Sequence, residues 1–332
     1  MTDTLQFIRA DSASHRDDLR PRGDEPRLLS CAVALNGDPQ PDRVRSILLG
    51  VSDDRGIQLA GGRIGAADGP MRVRDYLLRM PAPADYSVGS LLNAGDLQAA
   101  EHTAETHARL AEVVAVLRER FPLAKLVVIG GGQDHAYGEV LGLARAVARA
   151  APLGRVAVVS AGPLAQVNAA TPDAREPNAN TAFRRLLLEP AARLDGPSLL
   201  QWGLQRPSNS AFQLRFLESQ GVQQVYWNEV DGDHRRAGQD LVARMAELAA
   251  THAGLSLSVH LAAFDQATSP GVSAPSAVGV PAGAVVQAAA ALAQLPIATQ
   301  LGLYELNPRF DQDGASARLA ARIAWSYMAG IL

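Results

Sequence analysis

The feature that most limits the fold is a succession of short, uniformly apolar runs. Each is followed by a glycine-rich or polar loop and then by an amphipathic stretch. The runs are SILLGVS (Ser46–Ser52), Leu126–Ile129, RVAVVSA (Arg155–Ala161), Ser198–Gly203, Gln223–Asn228, Leu255–Ala263 and Ala298–Leu303. They have the length of strands and little polar character, which suits strands buried on both sides. The predicted helices are Met71–Arg79, Glu101–Arg120, Tyr137–Ala150, Gln239–His252, Ala282–Gln294 and Ala315–Met328. Alternation of the two predicts a mainly parallel sheet of about eight strands with right-handed crossovers and helices on both faces, a three-layer α/β/α arrangement. Open α/β sheets build their sites where loops leave the C-terminal ends of strands.

Composition agrees with one such unit. The chain has 332 residues, is 47% apolar and carries a formal net charge of -3. That is enough apolar material for a sizeable core, and the near-neutral balance argues against a nucleic-acid partner. No repeat or low-complexity linker divides residues 27–332, which are expected to form a single domain. Residues 1–26 are polar and charged with no apolar period, as in a mobile tail or an arm laid over the surface; His15, within them, is assigned no metal role. No apolar run reaches the ~18–20 residues needed to cross a bilayer. No secretory signal is evident either, so no membrane partner and a cytoplasmic location are expected. The single cysteine, Cys31, is expected to be a buried small hydrophobe.

The loops carry the functional information. Gly61-Gly62-Arg63-Ile64-Gly65-Ala66-Ala67-Asp68-Gly69-Pro70 follows the first run, and Pro70 opens a helix where its missing N–H is harmless. On spacing alone this is a plain strand-to-helix connection. Asn93-Ala94-Gly95-Asp96 comes next. Gly130-Gly131-Gly132-Gln133-Asp134-His135-Ala136-Tyr137-Gly138 is a tight glycine turn. Further on stand Ala179-Asn180-Thr181-Ala182-Phe183-Arg184, Gln205-Arg206-Pro207-Ser208-Asn209, Pro270-Gly271-Val272-Ser273-Ala274-Pro275 and Glu305-Leu306-Asn307-Pro308, with Asp311 beyond.

In this order the loops resemble those of the ureohydrolase superfamily (arginase, agmatinase, formimidoylglutamase), over roughly residues 45 to 330. The segments around Asn180–Arg184 and Asn209 resemble formimidoylglutamase-like members most. The resemblance implies an arginase-like fold, a homo-oligomer and a small amino-acid-like ligand. It also implies a centre of two manganese ions held by two histidines and four aspartates. The family's G-G-G-H-D, D-A-H-x-D and S-x-D-x-D motifs place those ligands at Gln133, at Gly162, Leu164 and Gln166, and at His260 and Ala262. This set has no carboxylate and one imidazole. Asp173-Ala174-Arg175 is not a slipped D-A-H, because it lies about ten residues beyond the strand.

The expectation is therefore no metal cofactor. The chain would be a metal-free, non-catalytic member with a binding or regulatory role. The alternatives are a formimidoylglutamase- or arginase-type hydrolase of linear amidine or guanidine C–N bonds, or metal-independent chemistry using His260 and Glu305. Within the family, the Glu of E-x-N-P helps to hold a cationic substrate end. His260 is either a buried imidazole bonded to Gln133 or Gln166, or a general base near Glu305. Gln133, Asp134, Gln166, Asn180, Arg184 and Asn209 are the candidate ligand-binding residues, with Asp134 expected to accept from loop N–H groups. His102 and His107 are expected to be solvated, and His252 to serve the end of its helix.

Overall fold

The computed structural model describes residues 4–9, 26–169 and 176–332. His15, most of the expected tail and the Asp173-Ala174-Arg175 segment lie outside the described residues. One sheet runs through the molecule. Its strands are β1 (Ile8–Arg9), β2 (Ala32–Ala34), β3 (Ser46–Val51), β4 (Leu91–Leu97), β5 (Lys125–Gly130), β6 (Val156–Ala161), β7 (Leu199–Leu204), β8 (Gln223–Tyr226), β9 (Gly254–His260) and β10 (Ala298–Tyr304). The helices are α1 (Leu28–Cys31), α2 (Arg55–Leu59), α3 (Gly69–Leu77), α4 (Thr103–Arg120), α5 (Ala136–Ala150), α6 (Ala182–Leu188), α7 (Ala211–Gln220), α8 (His234–Ala249), α9 (Ala282–Leu292) and α10 (Ala315–Ala329).

The spatial order is β1-β4-β3-β5-β10-β9-β6-β7-β8, with β2 also on β4. All pairings are parallel except β1 with β4. The sheet thus has ten strands where the sequence predicted about eight. The additions include β1 and β2, two and three residues long and too short to show a periodic signal. β1 falls inside the segment expected to be a tail, and it hydrogen-bonds along the sheet edge.

Residue alternation sorts the core. On β6, Ala157, Val159 and Ala161 face a cluster built with α8, α9 and α10, whereas Val156 and Val158 face one built with α5 and α6. β3 and β5 pack a third cluster against α4 through Leu110, Val113, Val114 and Leu117. β5 and β6 are separated by two places in the sheet, and the last two strands, β9 and β10, fill that gap. The ends of β5, β10, β9 and β6 therefore lie side by side. These ends carry His260, the last residue of β9, and, just beyond the other strands, Gln133, Glu305 and Gly162.

Candidate functional site

Two residues in the segments that follow these strands have left-handed backbone. Glu305 has φ 72° and Gln166 has φ 52°, conformations that cost a non-glycine residue about 1–2 kcal/mol. Both are held from several sides. Glu305 N donates to Gly131 O at 2.7 Å, and its Oε1 accepts from Gln133 N at 3.1 Å. Gln166 O accepts from Phe183 N at 3.2 Å. Strained backbone of this kind clusters at functional sites.

Between these residues runs a chain of amides. Gln166 Nε2 donates to Gln133 Oε1 at 3.1 Å, and Gln133 Nε2 donates to Ser258 Oγ at 3.1 Å. Both glutamines are buried. His260 is not bonded to either, contrary to the simpler expectation for it. Its Nδ1 accepts from Ala262 N at 3.1 Å, two residues along its own chain. The short turn Leu261–Ala263 after β9 brings that N–H back to the ring. A neutral ring that accepts at Nδ1 carries its proton on Nε2. Burial pushes the imidazole down to about 3, so His260 is arranged to donate a hydrogen bond rather than to take a proton. Burial pushes the Glu305 carboxyl the other way, up to about 8, with Asp134 and Asp54 adding to the rise.

Asp134 has a partner that the sequence did not indicate. Its Oδ2 accepts from Nε2 of His107 at 2.8 Å, so the expectation that loop N–H groups would satisfy it is corrected to a side chain on α4. His107 is fully buried, not solvated; His102 is exposed and bonds Glu176 at 2.6 Å. Arg185 Nη1 donates to His107 Nδ1 at 2.8 Å. Burial pushes the Asp134 carboxyl up, but the neighbouring His135 and the His107 hydrogen bond outweigh it, leaving it at about 2.

His107, Asp134 and His135 place one ligand atom each within 4.8 Å of one another, close enough for a single cation. The hydrogen bonds oppose that use. Because Arg185 can only donate, His107 Nδ1 is the lone pair and Nε2 bears the proton that faces Asp134. A metal would have to replace that proton and create an imidazolate. Two ligand groups, His135 Nε2 and the Asp134 carboxylate, would remain, too few for a structural site.

The other sequence candidates divide. Asn209 is a clamp: Oδ1 accepts from Ala165 N at 2.7 Å, and Nδ2 donates to Pro163 O and Gln205 O, each at 2.8 Å. It fixes the loop that carries Gly162, half-buried Leu164 and Gln166. Asn180 O accepts from Asn168 N at 2.8 Å, tying α6 to the same loop. The Arg184 guanidinium lies 4.2 Å over the Phe216 ring, with a buried Nη1 lacking a protein partner. Gly162 leaves room for His260; a Cβ there would stand 3.1 Å from His260 Cβ. Ala262 packs in the core cluster beneath. His252 Nδ1 bonds Leu248 O at 2.7 Å, its expected place at a helix end. Asp311 caps the start of α10 through Ser316 N and Ala317 N.

A mainly parallel sheet with this loop set at its C-terminal edge defines an arginase-type fold. The sequence profile of the arginase family matches residues 45–330, and the chain belongs to that family. Within it the chain is formimidoylglutamase-like. It is 32% identical over 302 residues to a formimidoylglutamase of Cupriavidus pinatubonensis, covering 89% of this chain and 87% of that one. It is 30% identical over 317 residues to that of Paraburkholderia xenovorans, covering 93% and 95%. The crystal structure of Trypanosoma cruzi formiminoglutamase with Mn2+ superposes with a TM-score of 0.77 at 26% identity, covering 92% of this chain and 98% of that one.

Ser258, Ser160, Gln201 and His107 also belong to the site or its support, and the sequence reading missed them. For the strand residues a signal exists. In GLSLSVH, Ser256, Ser258 and His260 alternate with Leu255, Leu257 and Val259, so one face of a buried strand is polar.

Proposed function

We propose that this chain is a metal-independent member of the arginase family that binds a small amino-acid-like ligand without hydrolysing it. The observation that carries this is the donor set. Two clustered dications need several anionic ligands. The six positions assigned to them by family resemblance offer two amides bonded to each other, one imidazole with Nδ1 already engaged, a glycine, a leucine and an alanine. The residues do not fit a binuclear manganese centre, and no hydrolytic step is derived through one. A homo-oligomer in the cytoplasm is part of the same proposal. No described helix is long and apolar enough to cross a membrane.

The second reading, hydrolysis of a C–N bond in a linear amidine or guanidine, is favoured by the likeness to formimidoylglutamases and by Glu305. Metal-independent chemistry through His260 is opposed by its fixed tautomer. Elemental analysis after exposure to excess manganese, with hydrolysis assays on formimidoylglutamate, arginine and agmatine, separates the readings. The expected result is no stoichiometric metal and no turnover. Two manganese ions per chain, or metal-stimulated turnover abolished by His260→Ala, would sink the proposal. Light scattering at ~35 kDa, the mass of one chain, would remove the oligomer.

A further inference from the structure

A cavity of about 480 Å3 opens at the C-terminal edge of the sheet, beyond the ends of β8 and β9. Its walls include Trp227, Val230 and Gly232 from the turn after β8, Asp265 from the loop after β9, and Val280 and Ala282 where α9 begins. Ligands of open α/β sheets sit outside the carboxyl ends of strands, and the volume lies in the small-molecule range of ~300–1,000 Å3. The loop after β9 is held in place. Val280 N donates to Ala263 O at 2.9 Å, and a Cβ on Gly279 would stand 2.2 Å from Asp265 N, so the two ends of the loop press together. Gln205, just beyond β7, donates through Nε2 to Val278 O at 2.8 Å and accepts from Ser276 Oγ at 3.0 Å.

Two features of opposite sign border this space. Asp265 Oδ1 accepts from Thr268 N at 2.9 Å, whereas Oδ2 has no partner among the described residues. The neighbouring acidic groups are engaged: Asp231 pairs with Arg236 at 2.9 Å, and Asp233 caps α8 through Arg235 N and Arg236 N. The second feature is the start of α9, an 11-residue helix that no side chain caps. The N–H groups of Ala282 and Gly283 have no acceptor among the described residues, and a helix start carries partial positive charge. Gly279 touches Asp265 and Ala282 follows three residues later, so ~11 Å of chain at most lies between them. The rest of the wall is largely apolar, with the half-buried Trp227 indole, Val230 and Val280.

We propose that this cavity binds a free α-amino acid with an apolar side chain. The ligand ammonium donates to Asp265 Oδ2, its carboxylate accepts from the N–H groups of Ala282 and Gly283, and its side chain lies against Trp227 and Val280. A simple amine would leave the helix start unmatched, and a simple acid would meet the Asp265 carboxylate; a zwitterion satisfies both. The inference does not depend on whether the strand ends around Gln133 and His260 hold metal.

L-leucine, isopentylamine and 4-methylpentanoate test it, because the second lacks only the carboxylate and the third only the ammonium. By isothermal titration calorimetry on the full chain, leucine is expected to bind at least about tenfold more tightly than either, the effect of losing one charge-assisted hydrogen bond. Asp265→Asn keeps the acceptor for Thr268 N and removes the charge; it should weaken leucine by a similar factor. Gly232→Phe should abolish binding by filling the cavity. Its Cβ would meet nothing within 4 Å and its backbone is not left-handed, so the fold tolerates the change. No leucine binding at ~10 mM, a concentration that detects even millimolar affinity, overturns the inference, as does an amine or acid that binds as tightly as leucine. Undiminished leucine affinity in a Gly232→Phe protein with unchanged circular dichroism places the amino acid elsewhere and sinks this inference alone, leaving the reading of the strand ends untouched.

Discussion

His107→Ala is the sharpest test of how the glycine turn is held. The imidazole is 0% exposed, donates to Asp134 Oδ2 at 2.8 Å and accepts from Arg185 Nη1 at 2.8 Å. Truncation removes a hydrogen bond to an ionised carboxylate, about 1.5–3 kcal/mol. It also leaves a cavity smaller than that of a lost phenylalanine, whose removal costs ~3–5 kcal/mol. Together these give about 4 kcal/mol, within the range for stripping one partner from a buried pair. At ~2.1 cal/mol/K per residue, a chain of this length has an unfolding entropy of about 0.7 kcal/mol/K, so Tm should fall by about 6 °C. His107→Gln, whose amide N–H can take the place of the ring Nε2–H, should lose about a third of that. Differential scanning calorimetry reads both. A His107→Ala protein melting within about 1 °C of the parent would refute the reasoning. A chelator should leave the parent Tm unchanged; a chelator-induced fall would mean that His107, Asp134 and His135 hold a metal and that the tautomer argument is wrong.

Two further outcomes follow from the buried groups at these strand ends. Glu305 is raised from 4.5 to about 8 and Glu139 to about 7, so the folded chain holds more protons than the unfolded one across those intervals and loses stability as pH rises through them. His260, lowered from 6.5 to about 3, acts oppositely and adds stability as pH rises from 3 to 6.5. Denaturant titrations between pH 6.5 and 8 should therefore show falling stability, by at most ~1.4 kcal/mol per pH unit for each carboxyl, and Glu305→Gln should remove most of it; an unchanged decline would contradict a buried, protonated Glu305. The combined variant Gln133→His, Gly162→Asp, Leu164→His, Gln166→Asp, His260→Asp and Ala262→Asp should gain manganese affinity with the fold kept. A folded variant that binds none, by elemental analysis, would show the inferred ligand register to be wrong.

The central strands were legible because burial on both faces leaves an unbroken apolar run, and the loops because glycine, proline and asparagine were needed at their turns. The edges were not. Ile8–Arg9 and Ala32–Ala34 are too short to carry a period, and their pairing with β4 is settled in space rather than along the chain. His107 was misjudged for a related reason. Its helix looks solvated at that position until α5 is in place. Gly138 and Gly142 let α5 approach α4 closely: a Cβ at Gly138 would stand 2.5 Å from His107 O. The G-x-x-x-G spacing was visible, but which helix would use it was not. His260 is legible as polar and buried, yet its partner is the N–H of Ala262, two residues on, brought back by a turn whose shape local propensity does not dictate.

The acidic groups around these strand ends bear on which side chains the neighbouring positions can hold. Asp53 is held by Arg55 at 2.6 Å, Asp54 accepts from Gly65 N at 2.5 Å, and Asp134 is held by His107. Each of these three carboxylates has a donor that ties it to its loop. Glu305 accepts from the Gln133 backbone N–H, and burial pushes its carboxyl up to about 8. An additional carboxylate at Gly162, Gln166 or Ala262 would enter a buried space already bordered by these charges. With no cation beside it, it would either raise its own pKa or weaken the fold. On the metal-independent reading, neutral groups at those positions are therefore favoured. The amide pair Gln133–Gln166 supplies such groups while still spanning the gap between the ends of β5 and β6.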